Sequence, residues 1–286
     1  MLVADTTALV ETARLTHGLL PTACAALGRA LTGSLLLAAQ LKSPDLSLTL
    51  GIYGDGPLGS VVCVANARGD VKGYVAHPET HLPTRPDGKL DVGGAVGKGR
   101  LVVLREAEEG PPYTGQVLLQ SGEIADDIAW YLVTSEGMPS LLALGVGVTP
   151  EGVACSAGVL IQPMPGCSEQ VLHELELCAP LLNAVSSAMA DLGSTDAFAR
   201  YTTTGLDIER IGENSVRFAC ACSHEAIERV LLAMGRKELH ALIEEDGKAE
   251  VCCQFCREAY RFTREQLLAL LWRADADQGG KRTDET

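Results

Sequence analysis

Phe218-Ala219-Cys220-Ala221-Cys222 is the stretch that decides the fold of the C-terminal part of the chain, together with Cys253-Gln254-Phe255-Cys256. A Cys-x-Cys pair is followed later in the chain by a Cys-x-x-Cys pair. Four thiols brought together by two short turns are what a closed tetrahedral zinc site requires. Half of the 10 cysteines fall between residues 220 and 256, a clustering that ordinary buried thiols do not explain. We therefore predict one zinc ion per chain, bound by Cys220, Cys222, Cys253 and Cys256.

The residues around these cysteines predict a small domain that spans 218–273. Ser223 is a good N-cap for a helix that follows the first pair. Residues 249–255 and 259–262 suit the two strands of a ribbon, and Thr263 begins a capping box that opens a last helix. The polar residues 274–286 are predicted to form a disordered tail.

Composition narrows the classes of protein that the chain can belong to. Its 286 residues are 47% hydrophobic, enough for a sizeable core, and its net charge is −14. A polyphosphate partner requires basic surface, so this balance argues against nucleic acid and anionic membranes as partners. The most apolar helix-like run, within residues 23–41, is uncharged over about ten residues, against the roughly 20 that a membrane span needs.

Cysteine usage indicates a reducing compartment. The first residues of the chain lack the basic and long apolar regions of a signal peptide. The 10 cysteines of such a chain point to reduced thiols or metal ligands, not to a disulfide framework. Five cysteines outside the paired motifs lie in apolar or loop settings and are predicted to be structural thiols. They are Cys24, Cys63, Cys155, Cys167 and Cys178.

Residues 1–166 predict a domain in which helices pack against a largely antiparallel sheet, which is an α+β fold. Residues 4–17, 21–42 and the surroundings of 124–132 have helical periodicity, and residues 77–96 resemble a long loop. Short strands joined by tight turns imply a meander. They are predicted at 46–52, 60–65, 71–76, 100–104, 114–119, 141–148 and 152–162.

Residues 167–217 are predicted to form a helical, metastable linker. Ser168 can cap a helix, Pro180 interrupts it, and Gly193 stops a second apolar stripe. Residues 194–217 show little pattern. Helices with such stripes need a neighbour that buries them.

Three further motifs are interpreted as having no catalytic role. Gly54-Asp-Gly-Pro-Leu-Gly59 matches a dinucleotide-binding pattern, but a proline and a strand follow its turn, which predicts a hairpin. The glycine-rich run at 93–99 lacks the first glycine and the hydroxyl residue of a phosphate loop. Adjacent Asp126 and Asp127 are interpreted as a solvated pair. With no nucleophile and base arrangement in the sequence, we expect no catalytic residue and no enzyme activity.

The predicted metal site favours a switch. Four thiolates leave no open position, so the site is not a hydrolytic centre. Cysteines at i and i+2 can form only a small, strained disulfide that is easily reduced, and zinc keeps sulfur in the oxidisable thiolate form. Structural zinc contributes about 10–16 kcal/mol in small modules, against roughly 5–15 kcal/mol for a whole domain. Loss of zinc is therefore expected to unfold this domain, and a linker packed against it should follow.

Several segments carry a resemblance to a known family. In the C-terminal part they are Phe218–Ser223, Gly235–Gly247 and Val251–Cys256 followed by Tyr260. In the N-terminal part they are Ala25–Arg29, Gly54–Pro57, Ser121–Ala125 and Gly158–Pro165. Together they cover nearly the whole chain and resemble the redox-regulated holdase chaperones of bacteria, the heat-shock protein thirty-three family.

The resemblance implies a cytoplasmic, ATP-independent molecular chaperone that is inactive while reduced and bound to zinc. Oxidation would pair Cys220 with Cys222 and Cys253 with Cys256. Zinc is then released, the linker at 167–217 unfolds, and unfolding client proteins bind. The active form is implied to be a homodimer.

The chain departs from the family in three places. It begins at what resembles the first helix, so the family's leading strand is expected to be absent. Ser135-Glu136-Gly137 stands where many members have Ser-Glu-Gln. Cys252 is an extra thiol beside Cys253, and strand alternation should point it away from the site.

Two other functions come from the same residues. A closed four-thiolate site can be purely structural, which would make the chain a protein-interaction adaptor with a zinc ribbon. An oxidoreductase that uses Cys253 and Cys256 is disfavoured, because no helix N-terminus follows this pair to stabilise a thiolate.

Overall fold

Helices and largely antiparallel sheets make up the chain in a computed structural model, so the predicted α+β class is confirmed. The structure describes the backbone of residues 1–280 and the side chains of residues 1–273. Two units separate at the metal motif: a first unit, Met1–Ala219, and a second unit, Cys220–Thr286. The finer division, with its linker at 167–217, stays a prediction.

Two sheets frame the first unit. One contains β1 (Leu2–Asp5), β7 (Leu141–Thr149) and β8 (Gly152–Ile161), in the order β1-β8-β7. The other contains β2 (Ser47–Gly54), β3 (Ser60–Asn66), β4 (Asp70–Val75), β5 (Gly99–Arg105), β6 (Tyr113–Leu118) and β9 (Arg217–Phe218), in the order β6-β5-β2-β3-β4-β9. All strand pairs are antiparallel except β4 with β9, which is parallel. The glycine-rich turn at 54–59 joins β2 to β3, as predicted.

Helix α2 lies at the centre of the first unit. The helices of this part are α1 (Thr7–His17), α2 (Pro21–Ala38), α3 (Val92–Val96) and α4 (Ala125–Glu136). Small residues let α2 approach its neighbours closely: a Cβ added at Gly28 would lie 2.8 Å from a methyl of Val10 in α1 and 2.9 Å from a methyl of Val146 in β7. Leu27 and Leu31 of the same helix are fully buried. The helix is therefore a core element, as its apolar composition predicts.

The predicted linker folds as a layer on β7 and β8. It contains α5 (Glu169–Cys178), a 3₁₀ turn (Ala179–Ala184), α6 (Val185–Leu192) and α7 (Thr195–Thr202). Ser168 accepts a hydrogen bond from the Val171 N–H and caps α5, and Gly193 ends α6 in a left-handed conformation. The layer and the sheet share one apolar cluster. Its buried members are Ala143, Cys155, Ala157, Val159, Ile161, Leu175, Val185, Met189 and Phe198.

The second unit has a small core of its own. Its elements are α8 (His224–Ala233), α9 (Arg236–Glu245), β10 (Lys248–Cys252), β11 (Ala259–Thr263) and α10 (Arg264–Gly280). The largest buried side chain is Phe262, and the other members are aliphatic. Helix α10 extends to Gly280, and residues 281–286 lie outside the described residues. The disordered tail predicted at 274–286 therefore stays a prediction.

The expected absence of a leading strand is wrong. Leu2–Asp5 pairs with β8, from Leu2↔Leu160 to Asp5↔Ala157, and the first helix begins at Thr7 instead of residue 4. A strand this short is too brief for alternation to reveal it, and its partner lies far away in the sequence. Buried Thr6 fixes the junction through a hydrogen bond with Ser156.

Three local predictions also need correction. Asp127 is buried and accepts backbone hydrogen bonds, so it is not part of a solvated pair with Asp126. The predicted loop at 77–96 contains the short helix α3, which Asp91 caps. The weakly patterned residues 194–217 contain α7, whose Phe198 is fully buried. Phe198 packs in the apolar cluster shared with the sheet, whereas Asp127 and Asp91 form side-chain hydrogen bonds with nearby backbone groups, and such bonds leave no periodic pattern in the sequence.

No helix in the part of the chain that the structure describes combines the length and the apolar character needed to cross a membrane.

Candidate metal centre

Two short segments of the second unit carry the paired cysteines. Cys220 and Cys222 come between β9 and α8, and Ser223 caps α8 by accepting a hydrogen bond of 3.2 Å from the Ala226 N–H. Cys253 and Cys256 lie in the turn that joins β10 to β11. The helix cap fixes where the first segment ends, so it limits how the first two sulfurs can point.

The ribbon turn is closed by its own backbone. The Cys253 N–H donates to the Glu258 carbonyl at 2.9 Å, and the Arg257 N–H donates to the Cys253 carbonyl at 2.8 Å. Arg257 has a φ of 62°, a conformation that residues other than glycine seldom adopt. This bend directs Cys253 and Cys256 toward the same side of the turn.

All four predicted sulfurs come together. Their Sγ atoms lie within 4.8 Å of one another, with Cys220 to Cys253 at 3.8 Å and Cys222 to Cys256 at 3.2 Å. Four sulfurs at Zn–S distances of roughly 2.3 Å in a tetrahedron would be separated by about 3.8 Å. The donor set and its spacing therefore fit zinc, and the four side chains are all half-buried. That zinc is the bound ion stays a prediction.

The sulfurs differ in their tendency to ionise. Burial raises the pKa of Cys220 and of Cys256. Burial also opposes ionisation of Cys222, but hydrogen bonds from the Tyr260 hydroxyl and from the other thiols outweigh it and lower its pKa to about 7. Cys220 and Cys256 thus lose their protons less readily than free thiols, and a bound cation would favour their thiolate forms.

Tyr260 is the site residue whose role the sequence did not reveal. Its hydroxyl donates a hydrogen bond of 3.1 Å to Cys222 Sγ. The tyrosine follows the Cys-x-x-Cys pair closely, but only the pairing of β10 with β11 determines which face of the ribbon its ring occupies. The signals available in advance were strand alternation after the turn and the place of Tyr260 beside a segment that carries the family resemblance.

The other cysteines lie outside the four-sulfur group. Cys252 is exposed, and its Sγ donates to the Arg257 carbonyl at 3.3 Å. Burial raises the pKa of Cys24 to about 12 and also raises the pKa of Cys63 and Cys155. Such thiols stay protonated and behave as small apolar side chains. Cys178 is also buried, and Cys167 is half-buried.

Comparisons with known proteins agree along the chain. The model of the Hsp33 protein family matches residues 1–263. A protein named 33 kDa chaperonin from Desulforamulus reducens is 42% identical over 95% of this chain and 92% of its own length. The 33 kDa chaperonin of Bacillus subtilis is 42% identical over 93% of this chain and 92% of its own.

A solved structure shares the fold. The crystal structure of the 33 kDa chaperonin of Thermotoga maritima, a heat shock protein 33 homologue, superimposes with a TM-score of 0.85 at 33% identity. The match covers 96% of this chain and 93% of the other. The likeness therefore includes both the helical layer on β7 and β8 and the segment with the four sulfurs.

Proposed function

The chain belongs to the Hsp33 family and has a chaperone role, and we propose that it is a redox-regulated, ATP-independent holdase that oxidation of the four sulfurs activates. The observation that supports this most directly is the placement of Cys220, Cys222, Cys253 and Cys256 within 4.8 Å of one another. The proposed ligands are these four cysteines, and the proposed ion is one Zn²⁺ per chain in the reduced state. We place the function in the cytoplasm, where thiols stay reduced until an oxidant appears.

In the reduced state, the second unit depends on its sulfur centre. Bound zinc would supply the positive charge that keeps four neighbouring sulfurs as thiolates. The protein contributes the Ser223 cap, the closed ribbon turn and the hydrogen bond from Tyr260, which together hold the sulfurs in place. The rest of this unit has a small, mainly aliphatic core, so a crosslink through four sulfurs provides much of its stability.

Oxidation by a peroxide would remove the ligand set. A thiolate attacks one peroxide oxygen, the S–O bond forms as the O–O bond breaks, and hydroxide leaves. A second thiolate then attacks the sulfenic sulfur, forming the S–S bond and releasing another hydroxide. Two disulfides consume two peroxide molecules. By analogy with the family, the proposed pairs are Cys220 with Cys222 and Cys253 with Cys256.

The reduced geometry gives this pairing a direct test. The two sulfur contacts in hydrogen-bonding range join opposite halves of the site, Cys220 to Cys253 and Cys222 to Cys256. All four sulfurs lie within 4.8 Å of one another, so pairing within each half and pairing across the two halves both need only small side-chain movements. Disulfide mapping by mass spectrometry after peroxide treatment distinguishes the two arrangements.

The linker layer supplies the apolar surface for clients. Its C-terminal end is β9, which pairs with β4 and is separated from Cys220 by a single residue, so disruption of the sulfur centre would loosen this pairing and then free one end of the layer. Unfolding of the layer would uncover Leu175, Met189 and Phe198, together with the sheet face on which they pack. Unfolded proteins bind such surface through the hydrophobic effect, and two copies in a homodimer would present it twice.

The experiment measures zinc release and aggregation of a heat-unfolded client protein together, before and after peroxide treatment of the full chain. We expect suppression of aggregation only after zinc is released. Equal suppression of aggregation before and after oxidation would contradict the redox switch. If aggregation is suppressed neither before nor after oxidation, the result would favour an adaptor with a structural zinc ribbon. The Cys252→Ser variant is the control, because Cys252 lies outside the four-sulfur group.

A further inference from the structure

The Tyr260 hydroxyl is aimed at one sulfur of the metal centre. It lies on β11 opposite Val251 and donates to Cys222 Sγ at 3.1 Å. Its ring makes an edge contact with His224, with 6.3 Å between centroids and 68° between planes. His224 is the first residue of α8 and follows the Ser223 cap. The ribbon and the start of α8 thus both hold the Tyr260 hydroxyl against Cys222.

A hydrogen bond at this place has a chemical consequence. An O–H group that donates to a thiolate forms a charge-assisted bond and withdraws electron density from the sulfur lone pairs. Those lone pairs are what a thiolate uses to attack an oxidant. Groups that hydrogen-bond to metal ligands alter ligand basicity and reactivity in the same way.

We propose that Tyr260 is a positioning residue that restrains the attack of Cys222 on peroxide and so raises the amount of oxidant needed to open the metal centre. The inference rests on the proposed redox function. In the restrained step, Cys222 Sγ forms a bond to one peroxide oxygen, the O–O bond breaks, and hydroxide leaves. The sulfur lone pair must weaken its bond to the Tyr260 hydroxyl before the new S–O bond can form, which slows the step.

The test compares Tyr260→Phe with the unmodified full chain, both bound to zinc. Phenylalanine keeps the ring beside His224 and removes only the donor. We expect peroxide to release zinc about threefold to tenfold faster from the variant, at or below the low end of the effects that hydrogen-bond partners of metal ligands have. Zinc is followed with a chromogenic chelator. The control is Tyr53→Phe, a change on β2 of the first unit, which should release zinc at the unmodified rate.

A second readout separates this role from general loosening of the ribbon. Zinc-bound protein is treated briefly with iodoacetamide, and labelling of each cysteine is measured by mass spectrometry. Loss of the Tyr260 hydroxyl should raise labelling of Cys222 relative to Cys220, Cys253 and Cys256. A general loosening would raise all four together.

The outcomes are distinct for the two proposals. An unchanged release rate, or labelling that rises equally at all four sulfurs, would overturn the role of Tyr260 while leaving the redox function intact. If the unmodified chain keeps its zinc under peroxide, the proposed function fails. The labelling comparison, which needs no peroxide, then still decides whether Tyr260 shields Cys222.

Discussion

Asp127 organises the start of α4, although the sequence does not distinguish it from its neighbour Asp126. Its carboxylate is fully buried and accepts backbone N–H groups from Gln120 at 2.6 Å, Ser121 at 3.2 Å and Ile124 at 3.2 Å. Ile124 has a φ of 63°, which is costly for a β-branched residue. The carboxylate therefore holds a strained turn in place.

We expect Asp127→Asn to lower the free energy of unfolding of the first unit by about 3 kcal/mol, because a charged acceptor of several buried N–H groups is lost. Denaturant unfolding followed by circular dichroism measures it. Asp126→Asn is the matched control, since Asp126 is exposed and accepts a hydrogen bond from the Ser121 hydroxyl. Equal effects of the two changes would contradict the assignment of Asp127.

Neighbouring cysteines should differ sharply in their effect on zinc. Cys253→Ser removes one of four clustered sulfurs, whereas Cys252→Ser removes an exposed thiol outside the group. We expect the first change to lower zinc affinity by at least about tenfold, because a ligand contributes more than an outer-shell partner. The second change should leave affinity as it is. Competition with a chelator measures both, and similar losses would mean that Cys252 also binds the ion.

At the scale of elements, β9 fastens the end of the linker to the first unit. Arg217 N–H donates to the Gly69 carbonyl at 2.9 Å, and Ala219 N–H donates to the Val71 carbonyl at 2.8 Å. The chain passes so close to Gly69, which has a φ of 93°, that an added Cβ would overlap the Ser215 carbonyl. A strand of two residues depends on such close approach, because it has few bonds of its own.

Gly69→Ala should therefore detach β9. The added methyl cannot coexist with the Ser215 carbonyl, so the amides of Arg217 and Ala219 should lose protection from hydrogen exchange while zinc stays bound. Gly88→Ala is the matched control: Gly88 also has a positive φ, 80°, but no atom lies within 4 Å of its added Cβ. If both variants protect these amides equally, β9 does not depend on the glycine.

Glu11 ties α1 to β8 and should make stability depend on pH. It accepts two hydrogen bonds of 2.7 Å from Arg14 and one of 3.0 Å from the Val153 N–H. The bonds from Arg14, opposed in part by burial, lower the pKa of Glu11 from 4.5 to about 2. A lowered pKa in the folded state contributes stability above pH 4.5, and this contribution is lost as the pH falls toward 2.

Glu11→Gln is expected to cost about 1 kcal/mol of stability at pH 7, since the pair is partly exposed to solvent. The difference from the unmodified chain should shrink between pH 4.5 and about 2, where the native carboxylate itself takes up a proton. Unfolding curves at several pH values measure it. A difference that does not change with pH would assign the effect to packing instead of charge.

At the scale of the whole molecule, the two units should respond differently to a chelator. The first unit has an extensive buried core, whereas the second has only a small buried cluster around Phe262. Zinc contributes about 10–16 kcal/mol to small modules, which exceeds what such a core supplies. We expect removal of zinc to unfold α8 and α9 and to leave the first unit folded, as amide exchange would show. Retained protection in α8 would contradict it.

A structural feature can be predicted from the sequence when it produces a periodic pattern or a characteristic residue spacing of its own. The buried helix α2, the meander strands and the four clustered cysteines follow from local pattern and spacing, and the structure has them where they were predicted. Among the features that were missed, β1, β9 and the role of Tyr260 are each decided by a partner distant in the chain, whereas Asp127 accepts bonds from backbone groups three to seven residues away. Short strands and single polar side chains have too few residues to show periodicity.

The separate serine caps of the linker helices affect how the linker would refold after the protein returns to the reduced state. Ser168 bonds to the Val171 N–H and Ser194 to the Ala197 N–H, so each helix carries its own start signal within a few residues. Structure encoded by such near neighbours re-forms quickly, because little chain entropy is lost before contacts are gained. In the proposed cycle, the slow event on return to reducing conditions is thus the reduction of the two disulfides. The supply of cellular reductants would then determine when clients are released.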